Sequence, residues 1–281
     1  MKNNIWVIKL GGRLLLHNTW VESLMKVIKL LINKDKLIII VHGGGPQADD
    51  VQKKMGIPIK KINGRRITDV DALFVVKMVY AGSVNKDLVA KALKHQILAV
   101  GISGVDAKLA QVTKRPKKLV VNQATGATEK VDFGYVGDVL TINKDMLEYL
   151  LRGKYVPVIA CLGVDGKGQI FNINADSLAT AIACQIGASN LIFITDVNGI
   201  LKQKGSTKYF QRLTLKQAKK MIVGKKITDG MIPKIENVEV ALKSGIENVH
   251  IVGALQTYSQ WSDALIKQTY GTVIYGENYE G

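Results

Sequence analysis

Cysteine is nearly absent. Cys161 and Cys184 are the two in 281 residues, a pattern with no metal-site spacing and no disulfide framework, and it points to a reduced, cytoplasmic setting. Aromatic residues make up 6% and do not interleave with the basic stretches, so a base-stacking platform for nucleic acid is missing. Long apolar runs are missing too: Leu37–Ile40 and Asn190–Ile194 fall far short of a membrane span. Met-Lys-Asn-Asn leads straight into a short apolar run, Lys9 and two glycines, without the apolar core and small-residue cleavage site of a secretory leader. Acidic residues are outnumbered, 23 against 39 basic, for a net charge of +16. The excess peaks between Lys202 and Lys226, where Lys and Arg occur without Asp or Glu. A phosphate-bearing anion would suit that stretch, and solvated lysine faces account for it equally well.

What is present reads as globular. Apolar residues at 47% and charged residues at 22% exclude disorder and collagen, and the length predicts one large domain or two lobes sharing a cleft. β-Branched runs alternate with helical patterns, which predicts βαβ units around a mostly parallel sheet. The expected strands are Trp6–Lys9, Leu37–His42, Ala99–Ser103, Val156–Leu162, Leu191–Thr195, Val249–Gly253 and Thr272–Tyr275. Val84, Leu88 and Ala92 mark one helix face, and Met231, Ile235, Val238 and Leu242 another. Between Leu109 and Val139 the alternation fails. Ala110–Thr113, Leu119–Asn122 and Glu129–Asp132, with Gly126 between the last two, predict β-hairpins forming a lid or partner-facing flap, and Asp165-Gly166 predicts a further hairpin.

Two glycine turns carry the first chemical signal. Lys9-Leu-Gly11-Gly12 closes the first strand, where open α/β sheets bind ligands, although a plain tight turn would look the same. His42-Gly43-Gly44-Gly45-Pro46 lies between a strand and a helix. Three successive glycines are entropically unfavourable in an ordinary connection, so their N–H groups suggest an anion cradle. Neither segment fits GxxxxGK[ST] or GxGxxG, which excludes a Walker-type NTPase and weakens a nicotinamide-binding reading. His42, without an acidic or nucleophilic neighbour in sequence, reads as structural.

Four further clusters follow. Arg66, in Asn63-Gly-Arg-Arg-Ile-Thr-Asp69, precedes a Thr68/Asp69 helix start, and a guanidinium on a short loop suits two-point capture of a carboxylate; an exposed arginine is the alternative. Asn172-Ile-Asn174-Ala-Asp176 opens an apolar helix with more polar groups than capping requires. Thr195-Asp-Val-Asn-Gly-Ile200 ends another strand. In Thr228-Asp-Gly-Met-Ile-Pro-Lys234, Asp229 is expected to cap a helix with Pro233 in its first turn and Lys234 projecting from its start.

KLGG, HGGGP, GRRITD, Met78–Lys86, Gly134–Val139, NINAD, TDVNGI and TDGMIPK occur in an order that resembles the amino acid kinase family over nearly the whole chain. The resemblance implies a three-layer αβα sandwich around a mostly parallel sheet, carbamate kinase-like, with a β-hairpin lid over the substrate. It implies an N-terminal lobe, residues 1–173, for an acylamino acid and for dimerisation, and a C-terminal lobe, 174–281, for ATP. Lys9 and Lys234 would flank the transferring phosphoryl group, with Asp176 holding both lysines. Gly11, Gly12 and Gly43 would serve the phosphate. Gly44, Gly45, Arg66, Asn172 and Asn174 would hold the substrate. The nucleotide would lie along Thr195, Asp196, Val197, Asn198, Gly199, Ile200 and Leu201 and near Lys226, Ile227 and Thr228.

The activity implied is ATP-dependent phosphorylation of the side-chain carboxylate of N-acetyl-L-glutamate, a step of arginine biosynthesis. The chemistry fits the residues, because a carboxylate is already ionised at neutral pH and needs no general base. Transfer is then alignment plus charge stabilisation. Mg²⁺ would ride on the nucleotide phosphates, with no dedicated protein metal site. Kinases of other N-acylglutamates, or of carrier-linked aminoadipate or glutamate, are the near alternatives. A polyanion-binding protein on a degenerate kinase fold is the alternative of another class, opposed by the retained Lys9, Asp176 and Lys234; neither nucleic acid nor membrane is expected as a partner. Four residues precede Ile5, without the N-terminal helix of arginine-sensitive hexameric members, so a homodimer insensitive to arginine is expected. Nothing after Tyr275 suggests an aspartokinase-type regulatory domain.

Overall fold

Leu37–His42 and Asn190–Thr195 are apolar on both faces, a pattern that requires cover on both sides. In the computed structural model, which describes residues 4–121, 126, 128–203, 206, 208–224, 226–227 and 229–276, they flank the fully buried strand Ile5–Leu10 at the centre of an eight-stranded sheet. Ile8 lies in register with Ile40 on one side and Ile192 on the other. From one edge the order is Arg212–Thr214, Thr272–Tyr275, Asn248–Gly253, Asn190–Thr195, Ile5–Leu10, Leu37–His42, Val156–Ala160 and Ala99–Ser103. Thr272–Tyr275 runs antiparallel to Asn248–Gly253 and parallel to Arg212–Thr214; the other pairings are parallel. The helices Asn18–Asn33, Asn85–Lys94 and Tyr258–Ser262 pack together, and so do Lys144–Arg152, Ala175–Ile186 and Ile232–Lys243, giving the α/β three-layer sandwich. The chain leaves the first strand toward one side of the sheet and returns later on the other. The ends of Ile5–Leu10, Leu37–His42 and Asn190–Thr195 therefore border a topological switch point.

The expected strand Val156–Leu162 breaks at Cys161. There Cys161 N donates to His42 O at 3.1 Å while Cys161 O accepts from Ile173 N at 3.0 Å, and the chain passes from the large sheet into a small closed barrel. The barrel comprises Leu162–Val164, Ile170–Ile173, Val136–Ile142 and Ala110–Lys114. Its interior explains why Ala110–Thr113 is not part of a flap hairpin, contrary to expectation. Val112 fills the centre, and a Cβ on Gly163 would approach both Val112 Cγ1 and Ile173 Cδ1 to 2.6 Å. The Asp165-Gly166 turn does join an antiparallel pair, Leu162–Val164 with Ile170–Ile173.

Lys118–Val121 pairs with Thr128–Val131 as a hairpin, and Asn122 lies outside the described residues. Val120 and Val131 pack with Ile62, Ile67, Phe133 and Val136 in a second apolar cluster, which seats the hairpin beside the two-stranded ribbon Lys61–Ile62 and Arg65–Arg66. Between the helix Val70–Val76 and the helix Asn85–Lys94, residues Lys77–Val84 form a π-helix, a feature the apolar spacing does not announce. Pro233 lies in the first turn of its helix as expected, but Asp229 is not the N-cap. A 3₁₀ turn, Asp229–Met231, precedes the helix, and Met231 occupies the cap position. The 173/174 boundary falls between Ile170–Ile173 and Ala175–Ile186.

Candidate active site

Asp176 sits in the first turn of the helix Ala175–Ile186, whose start is fixed by Asn174 accepting from Ser177 N at 3.0 Å. From there its carboxylate meets two lysines carried by distant parts of the chain. Lys9 Nζ, from the first strand, lies 2.8 Å from Oδ1, and Lys234 Nζ, from the start of Ile232–Lys243, hydrogen-bonds Oδ2. The three side chains are 11–13% exposed. Burial alone would raise the Asp176 pKa, but the two ammonium groups overcome it and hold the carboxyl down at about 2. Burial pushes Lys234 down, and Asp176 opposes that shift. Lys234 also lies 6.0 Å over the Phe193 ring.

The glycine turns interlock beside this cluster. A Cβ on Gly12 would come within 2.6 Å of Pro46 Cδ, and one on Gly11 within 2.7 Å of Ile194 O, so the turns pack at distances no larger residue permits. Gly43 faces Cys161 and Ala175, and a Cβ on Gly44 would strike Tyr80 Cδ1 at 2.8 Å. Tyr80 comes from the π-helix and is buried, with its hydroxyl pKa pushed up. Gly45 has no heavy atom near its Cβ position and starts the helix Gly45–Lys54.

Arg66 departs from the exposed-loop picture. It lies on the short strand Arg65–Arg66 and is buried, because its guanidinium already has internal partners. Nη2 donates to Asp49 Oδ1 at 2.5 Å and to Gly45 O at 3.2 Å, and Nη1 donates to Gln52 Oε1. The arginine is thus tied to the helix that begins at the glycine turn. Asn172 Nδ2 donates to Thr68 Oγ1 at 3.1 Å, joining the NINAD segment to the start of the Arg66 neighbourhood. Asp49 and Gln52 lie outside the motifs read from the sequence, whereas Thr68 and Tyr80 fall within GRRITD and Met78–Lys86, where no site role is assigned to them. The i, i+3 spacing of Asp49 and Gln52 after HGGGP was the available signal.

On the other side of the cleft, Asp196 is 46% exposed and pairs at 3.4 Å with Arg13, which follows the first glycine turn. Thr195 O accepts from Ala254 N at 3.0 Å. Asn198 packs over Gly253, and Gly199 has φ 126°, a conformation other residues rarely adopt, with Ile200 N donating to Thr272 Oγ1 at 2.8 Å. Val197 and Leu201 are partly exposed, whereas the Ile200 and Ile227 side chains belong to the core, which leaves only their backbone available to a ligand. Lys226 is exposed, and Thr228 lies outside the described residues. Among the described residues no group of three or more His, Cys, Asp or Glu could hold a metal ion, and no helix is long and apolar enough to cross a membrane.

The structure therefore gathers Lys9, Asp176, Lys234 and the two glycine turns, ties Arg66 to Gly45, and brings Asp196 to the rim. Comparison with known proteins agrees in extent. An acetylglutamate kinase from Sorangium cellulosum (strain So ce56) is 36% identical over 269 residues, covering 95% of this chain and 93% of that protein. A crystal structure of a protein from Streptococcus mutans UA159 superposes with a TM-score of 0.75 at 30% identity, over 98% of this chain and 99% of the other. Giardia carbamate kinase, at 13% identity and a TM-score of 0.68 over 98% of this chain and 99% of its own, shares the fold. Residues 4–253 match the sequence pattern of the Amino acid kinase family, and with glycine turns, buried triad and sheet order all in place, it is to that family that the chain belongs.

Proposed function

We propose that the protein transfers the γ-phosphoryl group of ATP to the side-chain carboxylate of N-acetyl-L-glutamate, a step of arginine biosynthesis. The observation that carries this reading is the Lys9–Asp176–Lys234 cluster at the switch point, in a chain 36% identical to acetylglutamate kinases over nearly its full length. A carboxylate oxygen of the substrate attacks the γ-phosphorus, the bond to the β-phosphate oxygen breaks, and an acyl phosphate and ADP result. Lys9 and Lys234 lie on opposite sides of Asp176, so their charges are preorganised for the oxygens of the group in flight. Amides of Gly11, Gly12 and Gly43 offer neutral donors to the same oxygens. Gly44, Gly45, Arg66, Asn172 and Asn174 hold the acylamino acid, and Arg66, tied by Nη2 to Asp49 and Gly45 and by Nη1 to Gln52, would offer its charge and its remaining N–H groups to the carboxylate.

In this reading residues 1–173 form the substrate lobe and 174–281 the nucleotide lobe, with ATP lying along Thr195–Leu201 and near Lys226–Thr228. Mg²⁺ bound to the nucleotide phosphates would neutralise part of their charge, with Asp196 as the exposed carboxylate at hand. The Lys118–Val121/Thr128–Val131 hairpin, seated on the Arg66 ribbon, serves as lid. The exposed apolar row Val70, Phe74 and Met78 supports a homodimer, and the enzyme would work in the cytoplasm. A panel of acylated amino acids, assayed for ATP-dependent acyl phosphate trapped with hydroxylamine, tests the proposal. N-acetylglutamate should give the highest kcat/KM. Preference for a succinylated or carrier-linked substrate would overturn the assignment, and salt-sensitive nucleic-acid binding without turnover would replace it with the polyanion reading.

A further inference from the structure

His42 is fully buried at the end of Leu37–His42, directly before the three glycines. Its Nδ1 lies 2.8 Å from Gly43 O, and its Nε2 lies 3.0 Å from Asn85 Nδ2. Asn85 is buried as well, and the orientation of its amide follows from its surroundings. The same Nδ2 lies 2.9 Å from Val158 O and 3.3 Å from Ile102 O, both of which can only accept. A flipped amide would set Oδ1 against two carbonyl oxygens. Nδ2 has two hydrogens, and its two shortest contacts, Val158 O and His42 Nε2, take them, with Ile102 O at the margin; Nε2 therefore carries the lone pair and Nδ1 the proton that it donates to Gly43 O. Burial holds the imidazole pKa down at about 4, which keeps the ring neutral near pH 7.

A trans peptide points its carbonyl and the following N–H in opposite directions. With the Gly43 carbonyl drawn to the buried imidazole, the Gly44 N–H is turned away from it, and Tyr80 closes the other approach to Gly44. We propose that His42, its tautomer set by Asn85, is a positioning residue that aims the Gly44 N–H into the cleft at an oxygen of the acylamino acid. This rests on the proposed kinase reading and adds to it the device that fixes one of its donors. His42 O is itself held by Cys161 N, so the ring, the loop and the barrel entry form one connected unit.

Two measurements test the proposal. In wild-type protein labelled with ¹⁵N-histidine, long-range ¹H–¹⁵N correlations at pH 7 should identify His42 as the Nδ1–H tautomer; the Nε2–H tautomer would overturn it. In kinetics, His42→Leu should lower kcat/KM for the acylamino acid by roughly tenfold to a hundredfold, with KM for ATP within about twofold of wild type. His42→Asn places an amide N–H near the position of Nδ1 and should recover most of the loss. Equal kcat/KM for His42→Leu and wild type, or a folded His42→Asn no better than His42→Leu, would overturn the positioning role. If His42→Leu does not fold, the tautomer and His42→Asn against wild type decide the matter. A wild-type protein inert toward N-acetylglutamate would sink the kinase reading instead, and the tautomer would still test the His42 arrangement.

Discussion

Asp176 and Glu239 are each held between two lysines, one pair in the cleft and the other on the surface. Lys219 and Lys243 both lie 2.6 Å from Glu239 Oε1, closer than Lys9 is to Asp176, yet these lysines are 47% and 71% exposed. Distance alone therefore does not distinguish the two clusters; burial does. Water screens the charges around Glu239, whose carboxyl is held low by hydrogen bonds from both lysines, and such pairs contribute about 0–1 kcal/mol. Around Asp176 little solvent answers the same charges, and the carboxylate neutralises one of its two lysines, so the cluster keeps an excess of one positive charge that an anion in the cleft would feel with little screening.

The largest expected effect separates the two clusters by activity. Lys9→Ala and Lys234→Ala should each depress kcat by ~10² to 10³, and Asp176→Ala should be less than additive with either, because the three act as a unit. Lys219→Ala and Lys243→Ala should leave kcat unchanged. Near-wild-type turnover in folded Lys9→Ala and Lys234→Ala would remove the basis of the comparison.

Acid gives a second way to tell buried from exposed groups. His42 and His250 are buried with pKa values down at about 4, while the unfolded chain binds those protons near 6.5. The unfolded state thus holds more protons between these values, and stability should fall as pH drops from about 6.5 to 4, by up to about 3 kcal/mol for each ring. Asp176, with its folded pKa at about 2, loses its contribution lower, between about 4 and 2. Urea denaturation at pH 7, 5 and 4 should follow this order, and His250→Gln, which can still donate to Tyr270 O, should flatten the upper part of the slope. A flat profile from pH 7 to 4 would show that the rings are not buried in neutral form.

Arg66→Lys should raise KM for the acylamino acid by roughly tenfold, about 1.4 kcal/mol, with KM for ATP little altered, since an ammonium cannot hold Asp49, Gln52 and Gly45 O and also reach the carboxylate. Equal changes in both would contradict the carboxylate assignment. Smallest of all, Glu239→Gln should cost less than about 1 kcal/mol by urea denaturation, and that cost should shrink in 1 M salt. A loss above 2 kcal/mol would mean that the surface cluster is not screened as described.

Periodicity and glycine turns made the central strands legible because those residues are apolar on both faces and each strand ends at a turn. The strand Arg212–Thr214 escaped notice, since three residues in a lysine-rich stretch carry no alternation. The barrel escaped because its closure depends on Val112, Gly137 and Gly163 meeting across long separations. The π-helix carries Tyr80 against Gly44, a long-range contact that local spacing does not encode. At the candidate site the charged residues could be picked out by type and position. Their supports could not: Asp49, Gln52 and Asn85 look like ordinary helix residues until the fold puts them against Arg66 and His42.

The central position of Ile5–Leu10 also governs when this protein can become whole. The strand finds Leu37–His42 early, but its other neighbour, Asn190–Thr195, leaves the ribosome far later, on the order of ten to forty seconds at about 5–20 residues per second. Through that interval one edge of a strand that is apolar but for Lys9 has no partner from its own sheet. Lys9 likewise waits for Asp176 and then for Lys234. The first charged group of the cluster to be synthesised is thus the one that spends longest without its counterion, and assembly of the cleft waits on the chain as far as Lys234.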